Sequence, residues 1–289
     1  MTNMSAKPTR RPRRPPLALV VALAAAALIA ANLAGRQLPL SPTRDAGQSV
    51  TPAFEGWYPN PDGTFMLSFG YFNRNREQVV EIPVGPDNFF EPGAQDLGQP
   101  TEFHPQRHWG VFTVEVPADF GDGRLTWTLR NGGETYSVPG HLKTDWLLDA
   151  KLDPASGNQP PVLRFDPRGE EGSGPDGIVA GPVRVKVGEP LDVTVWATDD
   201  EVQRTTFSRQ QEPISLTWFK HRGPGSVEFS EREPKVDKED GGRAQTRATF
   251  SAPGEYLLRV RAVDYSGLSS GGHSQCCWSN GYLEVTVTD

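Results

Sequence analysis

The amino-acid sequence predicts an all-β protein, with two β-sandwich domains after a single N-terminal transmembrane or signal helix. Two observations carry the β prediction. The 289 residues include 30 glycines and 27 prolines, a composition that disfavours long helices and favours short strands joined by turns. Apolar and polar residues also alternate in many short segments, which is the pattern of half-buried strands. The length leaves room for about two domains of ordinary size.

The first 34 residues have the charge and hydropathy pattern of an export segment. Residues 1–16 hold five basic and no acidic side chains, so the net charge of −7 divides into +5 there and −12 over the rest. Residues 17–34 are apolar except for Asn32 and just long enough to cross a bilayer. The basic tail should stay in the cytoplasm while the remainder is exported. The segment could be an uncleaved anchor or a cleaved signal peptide. The candidate cleavage motifs, which end at Ala30 and Ala31, match A-x-A poorly, so both interpretations stay open.

Residues 35–53 have no hydrophobic period and many Pro, Ser and Thr residues, so we expect a flexible linker. The first β-sandwich is predicted over residues 54–150. Its strands are indicated by apolar residues at every second position, over 64–73, 109–116, 124–130 and the ETYSV segment that follows the Asn-Gly-Gly turn at 131. Residues 85–105 combine turn formers with no period, and we expect a long surface loop there.

The second β-sandwich is predicted over residues 151–289, where about seven further strands show a period of two. Residues 158–167 should form a short edge strand, because their paired prolines cannot donate to a ladder. The segments VKVGEPLDVTVWATDD, LTWF and FSAPGEYLLRVRAVDYSG, within residues 183–289, resemble PKD, cadherin-like and bacterial immunoglobulin-like (Ig-like) domains. That resemblance implies an extracellular sandwich that serves as a spacer or as a binding module. In the first block, FEGWYPNPDGTFMLSFGYFNRN resembles uncharacterised exported bacterial proteins, which implies a location but no activity.

The only two cysteines are adjacent, Cys276 and Cys277, and His273 precedes them by a few residues. Free thiols would be unusual in an exported chain. Three interpretations stay open: a vicinal disulfide, a soft-metal site in which both thiolates and His273 bind Cu(I) or Zn, and a cross-link to another chain.

Asp199, Asp200 and Asp264 are predicted to lie at strand ends of the second sandwich. Related sandwiches bind Ca²⁺ through carboxylate oxygens at such positions, so the resemblance makes calcium the one candidate cofactor. The alternative is that these are solvated loop acids, because no D-x-D-x-D-G run supports a calcium loop.

Histidines and aromatic residues supply the remaining candidates. His104 and His108 could form a three-histidine site with His141, although loop histidines are usually solvated. Trp57 and Tyr58 could form a platform on which a glycan stacks, together with Phe89, Phe90 and Trp109; the alternative is that these rings belong to the cores.

The sequence contains neither a P-loop nor an H-E-x-x-H zinc motif, and a net charge of −12 outside the membrane disfavours nucleic acid as a partner. We therefore expect a non-catalytic envelope protein, held in the cell membrane by residues 17–34, that presents two sandwiches for spacing or for binding a protein or glycan. If the segment is cleaved, the protein would be secreted or periplasmic. Two alternatives are a metal-binding or redox protein that uses Cys276, Cys277 and His273, and a hydrolase with dispersed carboxylates.

Overall fold

The computed structural model describes residues 44–154, 156–202, 214–264 and 276–289. These residues belong to one compact unit, Arg44–Asp289. The predicted transmembrane or signal segment, residues 17–34, lies outside the described part of the chain. Within that part, no helix is both long and apolar enough to cross a membrane.

The N-terminal sandwich contains eight strands and one short 3-10 helix, Thr144–Trp146. Two three-stranded sheets, β1-β2-β6 and β4-β7-β8, form its layers, and β3 pairs with β5 beside them. The strands are β1 (Val50–Pro59), β2 (Phe65–Asn73), β3 (Val80–Glu81), β4 (Asn88–Glu91), β5 (Glu102–Phe103), β6 (Gln106–Val116), β7 (Leu125–Asn131) and β8 (Glu134–Gly140).

Aromatic rings from both sheets form the core of the N-terminal sandwich. Phe69 of β2 stacks on Phe112 of β6, with ring centroids 5.6 Å apart, and both contact Trp127 of β7 edge-on. Phe90 of β4 stacks on the same Trp127, and all four rings are buried. Such pairs contribute about 0.5–1.5 kcal/mol each beyond the area they bury. The alternation of apolar residues in β2, β6 and β7 therefore predicts correctly which of their residues lie in this core.

The prediction of a long surface loop over residues 85–105 is wrong. That segment contains β4 and β5, and Asn88 and Phe90 are fully buried. The Asn88 amide donates to the carbonyl oxygens of Ile82 and Pro100, and its side-chain oxygen accepts from Trp127 Nε1 at 2.9 Å. These side-chain bonds hold strands too short to show a period, which is why the pattern of the sequence missed them. Strand β1 also begins at Val50, inside the predicted linker.

In the described residues after 156, the C-terminal sandwich has nine strands in two sheets. One sheet has the order β10-β9-β12-β15-β14 and the other has the order β11-β17-β16-β13, in which β11 runs parallel to β17. The strands are β9 (Val162–Arg164), β10 (Gly172–Ser173), β11 (Ile178–Lys186), β12 (Leu191–Thr198), β13 (Ile214–Arg222), β14 (Val227–Phe229), β15 (Arg243–Phe250), β16 (Gly254–Asp264) and β17 (Trp278–Thr288).

The strand order of the C-terminal sandwich is that of an Ig-like domain. Strands β9, β12, β15 and β14 correspond to the A-B-E-D sheet, and β13, β16 and β17 correspond to the C-F-G sheet. Trp218 on β13 is fully buried, as the tryptophan of the C strand is in Ig domains. Tyr256, near the start of β16, donates from its hydroxyl to the carbonyl oxygen of Ala252 at 2.8 Å, which is the tyrosine corner of this fold.

The resemblance to Ig-like sandwiches is thus confirmed by topology and by two internal features. One detail differs from expectation, since β9 is not an edge strand. The two residues of β10 pair with it on one side and β12 pairs with it on the other. The paired prolines lie just before β9, at Pro160 and Pro161, so they remove no donor from the ladder.

Candidate functional site

Two groups of candidates from the sequence lie around one buried residue, Asn158. Its side chain is fully buried and its amide nitrogen donates to Asp264 Oδ2 at 2.5 Å. Its carbonyl oxygen lies 3.7 Å from Cys276 Sγ and 3.6 Å from Cys277 Sγ, and the two sulfur atoms are joined as a disulfide. We call these four residues the Asn158 cluster. The cluster joins the end of β16, the residues at the start of β17 and the segment just before β9.

Asp199 and Asp200 follow β12 at the same end of the sandwich. Asp200 Oδ2 accepts a hydrogen bond from the Gln159 amide at 3.1 Å, next to Asn158. Asp199 Oδ2 accepts from the Glu201 amide at 2.9 Å, whereas Asp199 Oδ1 is buried and has no hydrogen-bond partner in the described part of the chain. Burial, together with the charges of Asp264 and Asp200, raises the pKa of Asp199 to about 6.

The candidate metal ligands do not gather into one group in the described part of the chain. Among the described residues, no group of three or more His, Cys, Asp or Glu side chains lies close enough to hold a metal ion. The disulfide occupies both sulfur atoms of the predicted soft-metal site, and His273 lies outside the described residues. Asp199, Asp200 and Asp264 share one end of the sandwich, but by themselves they do not form a calcium site, so calcium stays a prediction.

The three histidines are not gathered into one site. His104 and His108 lie near each other, with ring centroids 6.4 Å apart, and both contact Phe219 of β13. His141 packs elsewhere, against Phe54 and Trp146. The expectation that the loop histidines are solvated is wrong for His108, which is buried. Burial lowers its pKa well below the usual value.

The predicted glycan platform is not present at Tyr58. Its ring is only 3 % exposed, and its hydroxyl donates to Asp176 Oδ1 at 2.9 Å, so it serves as a packing residue. Trp57 is half-buried against Phe65, and its indole nitrogen donates to the Lys143 carbonyl oxygen at 2.8 Å. Phe90 is a core residue. Phe89 and Trp109 instead contact guanidinium groups, those of Arg130 and Arg107.

A cleft of about 580 Å³ lies on the open side of the C-terminal sandwich, where β11 and the first half of β12 face each other. Its apolar floor includes Phe165 and Trp196, and its acidic residues are Asp166, Glu170 and Asp192. All three carboxylates are exposed. The general acid of a glycosidase is a carboxyl group in a desolvated environment, and none of these three side chains is buried.

Two short glycine motifs that the sequence also contains do not support an enzyme site. Residues 172–177 match G-x-G-x-x-G, but they form β10 and the turn that leads to β11, whereas dinucleotide binding needs a helix after the motif. Residues 267–271 match G-x-S-x-G and lie outside the described residues. A match of this length is weak without the strand–turn–helix that positions the serine.

Sequence reasoning missed the seam where the two sandwiches meet. Tyr282 of β17 donates to the Val111 carbonyl oxygen at 2.7 Å, and Asn280 Nδ2 donates to the Gly110 carbonyl oxygen at 2.7 Å. From the other side, the Thr101 amide donates to the His221 carbonyl oxygen on the edge of β13 at 2.9 Å. We call this contact region the seam. It joins residues more than 100 positions apart in the chain.

Two features explain why the seam can close. Gly110 has a φ of +47°, and a Cβ atom built there would lie 2.4 Å from the buried ring of Trp278, so a side chain would keep the sandwiches apart. On β13, the run Phe219-Lys220-His221-Arg222 has polar residues at three consecutive positions, and therefore on both faces of one strand. A strand with a solvated face would alternate instead. That run was the signal from which the seam could have been predicted.

No family model and no curated protein matches the chain. Solved structures that match include the D00–D0 domain of intimin (TM-score 0.29, 11% identity, 83% of this chain and 100% of that one). Another is the Yersinia pseudotuberculosis adhesin InvE (TM-score 0.26, 11% identity, 84% and 59%). Domains 4 and 5 of the S-layer protein SbsC also match (TM-score 0.23, 13% identity), over 58% of this chain and 66% of theirs. At these scores the Ig-like assignment rests on the strand order above.

Proposed function

We propose that the protein is a non-catalytic envelope module, in which residues 17–34 hold two joined β-sandwiches outside the cytoplasmic membrane as a spacer that also binds a protein or glycan partner. The observation that carries the proposal is the seam. Buried hydrogen bonds and ion pairs hold the two sandwiches in one orientation, whereas domains joined only by a linker move independently. A fixed orientation suits a part that sets a distance or presents a surface.

The charge distribution supports the orientation in the membrane. The five basic residues before the apolar run favour a cytoplasmic N-terminus, and the acidic remainder would then lie outside. The disulfide between Cys276 and Cys277 agrees with an oxidising compartment. The metal or redox alternative would require both thiols to be free, and the hydrolase alternative would require a desolvated carboxyl group in the cleft.

Cell fractionation tests this proposal. The full chain, tagged at its C-terminus and expressed in a bacterium, should remain in membranes washed with carbonate and should be released by detergent. The tag should be digested when protease is added to spheroplasts. A variant with Ala25→Arg in the middle of the apolar run should lose membrane retention, while Gln48→Arg in the linker should not. Recovery of the intact wild-type chain from the cytoplasm would contradict the proposal. A shortened mature chain in the periplasm would show that residues 17–34 are a cleaved signal peptide and not an anchor.

A further inference from the structure

Three arginine side chains surround one phenylalanine at the rim of the seam. Arg259 and Arg261 of β16 and Arg232, which follows β14, place their guanidinium carbons 4.6, 5.5 and 4.9 Å from the centroid of the Phe219 ring. Arg259 pairs with Phe219 across the β13–β16 ladder, and Arg261 pairs with Thr217. These side chains therefore share the face of the sheet that is turned away from the core of the C-terminal sandwich.

No carboxylate of the described residues forms an ion pair with any of these three guanidinium groups. Arg259, 2 % exposed, donates to the side-chain oxygen of Asn280 at 3.1 Å. Arg232 donates to the Trp218 carbonyl oxygen and to a nitrogen of His104. Arg261 differs from both, because its Nε is buried and has no hydrogen-bond partner among the residues that the structure describes. A desolvated cation without a counter-ion lowers the stability of a protein, so this arrangement calls for a compensating anion.

A cavity of about 430 Å³ opens beside Arg261, between the first half of β13 and residues 233–236. The polar side chains that line it are Arg261, Lys235, Ser215, Thr217 and Glu233. Among these described lining residues only Glu233 is acidic, and Arg259 and Arg232 add two further positive charges nearby. The Trp218 amide donates to the carbonyl oxygen of Arg232 across this edge of β13. Because the amides of alternate residues in a strand point to the same edge, the Leu216 amide points to it too.

We propose that this cavity binds a small ligand through an oxyanion group, a carboxylate, sulfate or phosphate, with the Arg261 guanidinium as its main contact and Lys235 as a second charge. A guanidinium presents two parallel N–H groups that match two oxygens of such an anion. Burial and the charge of Arg259 lower the pKa of Arg261 to about 10, so the group remains charged at neutral pH. The volume suits a ligand of monosaccharide size. This inference does not depend on the membrane topology.

Calorimetric titration of the full chain in a non-ionic detergent tests the inference. Sodium sulfate, sodium phosphate and sodium glucuronate are added at constant ionic strength, with glucose as a neutral control. At least one of the three anions should bind and glucose should not. A preference for glucuronate would identify a carboxylated sugar as the source of the oxyanion, and a preference for phosphate or sulfate would identify an inorganic group. Absence of binding by all three would overturn the proposal.

Two variants and one control locate the site. Arg261→Met should weaken anion binding by about tenfold or more, because it removes the two-point contact. Lys235→Glu reverses an exposed charge without disturbing the core, so it tests the site even if the Arg261 variant does not fold, and it should abolish binding. Arg247→Gln, an exposed arginine on β15, should leave binding unchanged. Equal anion binding by the wild type and Lys235→Glu would contradict the assignment.

Discussion

The ammonium group of Lys220 on β13 lies 2.9 Å from Glu102 Oε2 on β5, so a buried ion pair ties the C-terminal sandwich to the N-terminal one. The Lys220 side chain is 2 % exposed, and Glu81 of β3 is its second partner. Burial acts to lower the pKa of Lys220, but the hydrogen bonds and charges of Glu81 and Glu102 outweigh it and raise that pKa. The pair therefore stays ionised across the physiological range.

Lys220→Met should destabilise the protein by about 2–4 kcal/mol, because it leaves the carboxylate of Glu102 buried without its cation. The double variant Lys220→Met, Glu102→Gln should recover part of that loss, since the uncompensated charge is gone. Urea unfolding followed by tryptophan fluorescence measures both. Lys186→Met, at an exposed position on β11, is the matched control and should change stability little. Equal stability of Lys220→Met and the control would show that the pair does not hold the seam.

His221 should make the protein less stable in acid. The ring is 2 % exposed and donates from Nε2 to the Gly98 carbonyl oxygen at 2.8 Å, and burial lowers its pKa to about 3. The unfolded chain, with a histidine pKa of about 6.5, binds a proton that the folded chain does not, so stability falls as the pH drops below that value. The loss from His221 should reach about 2 kcal/mol at pH 5.

His221→Gln, measured beside the wild type by urea unfolding between pH 5 and pH 7.5, should reduce the pH dependence by about one proton while keeping a donor for Gly98. His141→Gln changes a histidine outside the seam and is the comparison. An unchanged pH dependence in His221→Gln would show that folding does not lower the pKa of His221.

Asp199 should make the stability of the protein depend on pH in the direction opposite to His221. Burial raises its pKa to about 6, so the folded chain holds this proton more tightly than the unfolded chain, and stability falls as the pH rises from about 4 to about 6. Asp199→Asn should therefore stabilise the protein at pH 7, by on the order of 1 kcal/mol after solvent screening, and should have no effect at pH 4. Thermal unfolding at the two pH values measures this.

Asp192→Asn is the control for Asp199→Asn, because Asp192 on β12 is an exposed aspartate that does not contribute to the pKa shift of Asp199. Repeating the pH 7 measurement with calcium chloride tests the calcium prediction as well. A divalent cation bound near Asp199 would raise the unfolding midpoint of the wild type and not that of Asp199→Asn. Equal shifts in both proteins would count against a calcium site there.

The cysteine pair should be oxidised in the purified protein. Mass spectrometry of the purified chain should give a mass lower than that of the reduced chain by two hydrogen atoms, with no bound metal and no cross-linked dimer. Reduction should cost less than about 1 kcal/mol of stability, because closing so small a ring removes little entropy from the unfolded chain. Cys276→Ser should resemble the reduced protein, and a stoichiometric zinc or copper content would support the metal interpretation instead.

Much of the fold could be predicted because it depends on neighbours in sequence. In β2, Phe65, Leu67, Phe69 and Tyr71 stand at every second position, and that period specifies a strand with large apolar side chains on one face. Strand β4 escaped prediction since four residues cannot display a period, and the side chain of Asn88 holds it by bonds to distant carbonyl groups. The sequence left Tyr58 open between a surface platform and a core position, because its partner Asp176 is 118 positions away.

By itself, the sequence determined the all-β class, the strand periods of both sandwiches and the charge pattern before an apolar run, because each of these is a local property of composition and spacing. Only the tertiary structure decided which polar residues meet. Lys220 forms an ion pair with Glu102, Asn158 donates a hydrogen bond to Asp264, and three arginines surround Phe219. Sheet register and the docking of the two sandwiches bring these atoms together, and no local sequence pattern relates them. The free energy of a buried polar group depends on these long-range contacts, and the candidate sites of this protein depend on them too.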